Sequence, residues 1–99
     1  MIYTRLNPNN GIEIRYGVKQ ITIPQGQAGK NEDVTYSPAF TKSNTLVVAT
    51  DNDWRTPYDS IPKIAVLQRG QAGFKLHVTL QSAQSAVANI NVGWIAIAW

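Results

Sequence analysis

Along much of the chain, apolar and polar residues alternate with a period of two. Gly11-Ile12-Glu13-Ile14-Arg15-Tyr16 places Ile12, Ile14 and Tyr16 on one face. Phe74-Lys75-Leu76-His77-Val78-Thr79-Leu80 sets four apolar residues on one face against Lys75, His77 and Thr79 on the other. Both are the pattern of a strand whose apolar face is buried. Thr45-Leu46-Val47-Val48-Ala49-Thr50 and Ile64-Ala65-Val66-Leu67 are short, continuous and apolar. That predicts central strands covered on both sides. The segment Ile90 to Trp99 is apolar on both faces: Ile90, Val92, Trp94, Ala96 and Ala98 share one, and Ile95, Ile97 and Trp99 the other. Such a strand is central or packs against another subunit.

Turn residues punctuate these runs at Asn7-Pro8-Asn9-Asn10-Gly11, at Pro24 to Lys30, at Ser37-Pro38 and at Arg69-Gly70-Gln71-Ala72-Gly73. No stretch holds a helical period, and Gln81 to Ala88 reads as a loop or an edge strand. Six or seven strands in this length predict an all-β fold, an antiparallel β-sandwich, with residues 1–99 forming one domain.

Composition narrows the chemistry. With 99 residues and no cysteine, the core is small and has no disulfide to supplement it. Association with further copies is a common remedy. Charged residues make up 15% of the chain, so Asn, Gln, Ser and Thr carry most of the polarity. Such a surface suits neutral polar partners or sister subunits. The net charge of +3 comes from basic residues scattered singly, without the patch that nucleic acid requires. No apolar run approaches the ~20 residues of a membrane span, and the N-terminus lacks the apolar segment of a signal peptide.

The residues also argue against an enzyme. His77 is the one histidine and lies on the polar face of a strand. No serine motif supplies an activated nucleophile, no His or Cys pairs have metal-ligand spacing, and the glycine-containing turn at 25–30 lacks the phosphate-loop pattern. No metal or cofactor is expected. Glycoside hydrolysis would need two carboxylates facing each other across a substrate. Of the six acids, Glu13, Glu32, Asp33, Asp51, Asp53 and Asp59, Asp51 and Asp53 lie close in sequence, but hydrolases commonly draw their pair from different strands.

The segment Asp51-Asn52-Asp53-Trp54-Arg55-Thr56-Pro57-Tyr58-Asp59 is the richest in chemistry. It lies between two apolar strands and is therefore a loop. Trp54 and Tyr58 offer flat apolar faces on which a sugar ring can stack, and Asp51, Asp53, Arg55 and Asp59 can hydrogen-bond its hydroxyls. These six are the candidate ligand-binding residues. In the competing reading, Trp54 folds back over the core and the acids serve as turn formers.

The order of the motifs resembles the C-terminal domain of phage tail fibre proteins. Asn10 to Gly17 resembles that family's opening strand, Val34-Thr35-Tyr36-Ser37-Pro38-Ala39-Phe40 a strand and bend, and Leu46 to Thr50 the next strand. Ala72-Gly73-Phe74-Lys75-Leu76 and Trp94 to Trp99 resemble two later ones. Ala98-Trp99 departs from the family's usual ending. The resemblance implies a homotrimeric, non-enzymatic tip that binds a receptor on a bacterial surface, often a glycan. The protein would be made in the host cytoplasm and carried on the virion. The chain would then be a fragment of a longer fibre or a separately translated partner of one. Gly73-Phe74 and Trp94-Ile95-Ala96 are also similar to segments of the H-type lectins, trimeric sandwiches that bind N-acetylgalactosamine. A structural cap that aids fibre trimerisation and a stand-alone lectin are the alternative functions.

Overall fold

The computed structural model describes residues 11–56 and 60–99 in full and residues 2–6 as backbone. Seven strands are formed: β1 (Ile2–Leu6), β2 (Glu13–Ile23), β3 (Gly29–Thr35), β4 (Thr45–Asp51), β5 (Lys63–Leu67), β6 (Gly73–Thr79) and β7 (Ala88–Ala98). A four-stranded sheet has the order β1-β2-β7-β4, and a three-stranded sheet the order β3-β6-β5. Every pairing is antiparallel. The described residues contain no helix, so the all-β sandwich expected from the sequence is the observed fold.

The two sheets bury one apolar layer between them. Ile21 and Ile23 of β2 and Val92, Trp94, Ala96 and Ala98 of β7 meet Val34 of β3 and Phe74, Leu76 and Val78 of β6. The alternation read in β6 and in the Ile90–Ala98 half of β7 is thus the core-facing set, and β7 is central as expected. One end of the core is aromatic: Tyr36 lies 4.6 Å from Phe40, 5.9 Å from Phe74 and 5.8 Å from Trp94, centroid to centroid. Burial pushes the Tyr36 phenol far above its ordinary range, and its hydroxyl has no hydrogen-bond partner among the described residues. An unsatisfied buried hydroxyl costs free energy that a phenyl ring does not. Tyr36→Phe is therefore expected to raise the melting temperature by a few degrees, corresponding to about 1 kcal/mol for a domain of this size. Calorimetry checks this.

Gly73 is required where β6 starts. Its φ is +158°, and a Cβ there would stand 2.0 Å from the carbonyl oxygen of Val34 on the neighbouring strand. The turn cluster at 24–30 is shorter than the sequence suggests, because β3 already begins at Gly29. The segment 81–87 is a loop. It is tied to the 24–28 turn by Gly26 N–H donating to Gln84 O (2.8 Å) and Gln84 N–H donating to Gln27 O (2.9 Å).

Three expectations are corrected. In β2 the apolar alternation faces outward: Tyr16 is 40% exposed, whereas Glu13 and Arg15 point into the sandwich and are buried. The inversion is stabilised by partners that only the fold supplies. Arg15 Nε donates to Pro38 O (3.2 Å), its Nη2 reaches Ala39 O and Glu13 Oε2 (both 3.4 Å), and its guanidinium lies 4.7 Å from the Phe40 ring centroid. Glu13 Oε1 accepts from Thr41 Oγ1 (2.5 Å), Thr41 N–H (2.8 Å) and Lys42 N–H (3.0 Å). The Thr41 hydroxyl and these amides, with Arg15, outweigh burial and hold the Glu13 carboxyl below its usual range. The pair thus fastens the 38–42 segment, which carries Phe40, across the end of the core.

The other two corrections concern β4 and β5, which are edge strands rather than central ones. Their continuous apolar character arises differently from double coverage. Val47 and Ala49 pack on the core while Leu46 and Val48 stand on the outer face. In β5, Ile64 and Val66 pack inward and Leu67 is exposed.

Candidate functional site

The loop that follows β4 is anchored to the central strand β7. The β4–β7 ladder ends at the Asp51–Val92 pair, and Asn52 N–H still donates to Asn91 O (2.9 Å). The Asp53 carboxylate then takes the place of a strand carbonyl. Its Oδ2 accepts from Asn91 N–H (2.9 Å) and its Oδ1 from Asn91 Nδ2 (2.8 Å). These two bonds, the backbone one first, outweigh burial and, helped by Arg55, lower the Asp53 carboxyl from its ordinary value. Arg55 completes the clamp. Its Nε donates to Asp51 Oδ2, and its Nη2 donates to Asp51 Oδ1 (3.1 Å) and Asp53 Oδ2 (3.2 Å).

This arrangement separates the candidate residues by role. Asp51, Asp53 and Arg55 are brought together, but their charged groups face one another and β7, with every oxygen of both carboxylates accepting a hydrogen bond. Trp54, between two clamped residues, is 86% exposed, so it does not fold back over the core. A large apolar ring held out from a fixed backbone is a ready contact surface, because little side-chain or loop entropy is lost when a partner covers it. Tyr58 and Asp59 lie outside the described residues.

Asn91 is a further member of the site that the sequence did not single out. Its signal is slight: one amide within the otherwise apolar Ile90-Asn91-Val92. Among the described residues no group of His, Cys, Asp and Glu could hold a metal ion. His77 lies away from this loop, on the outer face of the three-stranded sheet, where its Nδ1 bonds Asn31 Oδ1.

A second surface extends the outer β7 face of Ile95 and Ile97 beyond that one strand. The outer face of the four-stranded sheet is apolar in register across three strands. Ile14, Ile97 and Leu46 form one row, and Tyr16, Ile95 and Val48 the next. Val18 and Thr50 flank Gly93 in a third row. The missing side chain at Gly93 leaves a depression of about 300 Å³ lined by Tyr16, Val18, Val48, Asn52 and Ile95, among others. No charged residue lies in these rows.

The sandwich fold itself is shared with solved fibre proteins. The whole chain superimposes on a C-terminal fragment of the R1 pyocin fibre of P. aeruginosa, with a TM-score of 0.62 and 12% sequence identity. It superimposes equally, at the same score and identity, on an N-truncated R1-type pyocin tail fibre. The chain spans 28% of the first of these structures and 87% of the second. At this identity the likeness is one of fold. No protein-family model and no curated protein sequence matches the chain.

Proposed function

We propose that the chain is a non-enzymatic attachment domain of a phage or phage-like tail fibre, carried on the particle, which binds a receptor on the bacterial surface. The observation that carries this reading is the exposed Trp54 on its salt-bridged, β7-anchored loop. The fold shared with pyocin fibres supports the fibre context. The proposed receptor is a glycan. Trp54 supplies the stacking surface, and the internally paired carboxylates and arginine hold that surface rigid, which is a different task from the direct sugar contacts the sequence suggested.

The same reading makes the domain a homotrimer, with the uncharged outer face of the four-stranded sheet covered by sister subunits. An apolar grid of this kind, containing Val48 at 60% exposure, is larger than the scattered apolar residues of ordinary monomer surfaces. A trimer multiplies weak sites: avidity raises effective affinity by roughly 10²–10⁴ without a new contact. The apolar face alone equally favours a trimerisation cap with no receptor of its own, so binding decides between the two. The purified, fluorescently labelled domain should decorate susceptible cells and be displaced by their extracted surface glycans. A domain that ignores both is a cap. In light scattering the wild type should have three times the mass of the chain, and Val48→Glu, which charges the face, should yield monomer.

A further inference from the structure

At the end of β7 remote from the Trp54 loop lies a surface cavity of about 650 Å³, lined by Ser43, Asn44, Thr45, Gln68, Arg69 and Trp99. Three separate features converge there. Trp99, one residue beyond β7, is half exposed, and its backbone is fixed by its N–H donating to Asn44 O (3.0 Å). Arg69 is likewise fixed, its Nε donating to Thr45 O (3.0 Å). That bond leaves the two terminal nitrogens of the guanidinium for another acceptor. Arg69 forms no salt bridge among the described residues, and no acidic side chain lines the cavity. Finally, Gln68 holds a φ of +50°, a left-handed conformation that strains a residue with a side chain. Strain of this kind is concentrated at ligand sites, where the surrounding structure enforces it.

We infer that this cavity is a second binding site, built for a sugar that carries an oxyanion. The guanidinium takes the carboxylate or phosphate through paired N–H donors. The indole of Trp99 provides a wall for the apolar face of the ring. Ser43, Asn44 and Gln68 supply neutral hydrogen-bonding groups for its hydroxyls. This differs in chemistry from the Trp54 loop, where the one guanidinium of the clamp is bonded to two carboxylates. The inference does not rest on the Trp54 reading. The two sites lie at opposite ends of β7 and respond to different substitutions.

Titration of the isotope-labelled full chain, followed by NMR, tests it with three probes: methyl glucuronide, glucose 6-phosphate and methyl glucoside. The Trp99 indole signal should shift with an acidic sugar at millimolar concentration and at least tenfold more weakly with methyl glucoside. Arg69→Gln should weaken the acidic sugar about tenfold and abolish the salt dependence of its binding. Trp99→Leu should weaken it independently. Both side chains are exposed, so both variants should melt with the wild type. A response to glucose 6-phosphate and not to methyl glucuronide assigns the oxyanion as phosphate, and the reverse as carboxylate. Either result supports the site. Equal binding of methyl glucoside, unchanged affinity in Arg69→Gln, or no response to any of the three probes overturns it.

Discussion

Glu13→Ala is expected to cost about 3–5 kcal/mol of stability, because it leaves the Arg15 guanidinium charged and buried without its carboxylate. Small domains have only about 5–15 kcal/mol in total, so the variant should be partly unfolded at 37 °C. The loss is larger than for a surface pair because Arg15 has no exposure at all and cannot turn to water. The substitution also removes the acceptor for Thr41 N–H, Thr41 Oγ–H and Lys42 N–H, releasing the segment that carries Phe40. Urea unfolding measures the difference. A loss under about 1 kcal/mol would show that the pair contributes no more than an exposed one.

The same carboxylate makes stability depend on acid. Its folded pKa is depressed, so its contribution is fully present above the ordinary carboxylate value of 4.5 and is lost as the pH falls through the lower, folded value. Wild-type stability should therefore decline below about pH 4.5, with Asp53 adding to the decline in the same direction. In Glu13→Ala the decline should be shallower, since one of the two linked protons has been removed.

Trp54→Ala carries the other large effect, and it falls on binding. Truncating an aromatic side chain at the centre of a contact commonly costs about 2 kcal/mol, or roughly thirty-fold in affinity for one site. Across the copies of the proposed trimer the loss would compound, so cell decoration should fall below detection even where a monovalent glycan still binds weakly. The melting temperature should not change, because Trp54 makes no core contact and the clamp beside it uses other residues. Isothermal titration and a cell-binding assay, run beside a thermal melt, separate the two readouts. Unchanged binding by this variant would remove Trp54 from the receptor site.

How much could be read beforehand depends on whether a residue's partner is local. β6 was legible because one of its faces is apolar and the other polar, so alternation alone orients it. β2 alternates as clearly, yet alternation names two faces without saying which is inside. Glu13 and Arg15 face inward because Thr41, Lys42 and Pro38, more than twenty residues away, supply their hydrogen bonds. β4 and β5 looked central because continuous apolar strands normally have both faces covered. Here the second face of β4 belongs to an exposed apolar surface, which a single chain's sequence renders identically. The loop at 51–59 was legible as a loop, and Trp54 as its prominent ring. The roles of Asp51, Asp53 and Arg55 were not, because the anchor at Asn91 lies 38 residues from Asp53. The Arg69 and Trp99 cavity joins three distant segments and has no sequence signature.

The tie between Asp53 and Asn91 also has a mechanical meaning. A particle held to a cell by Trp54 would be pulled by flow and by the cell's own motion. That tension enters the protein through the backbone into the edge strand β4 and, in parallel, through a side-chain bond to β7, which lies between two neighbours. β7 is laced to β2 along eleven residue pairs and to β4 along seven. A tug on the tether is therefore shared between the margin of the sheet and its middle, so that β4 does not bear it alone.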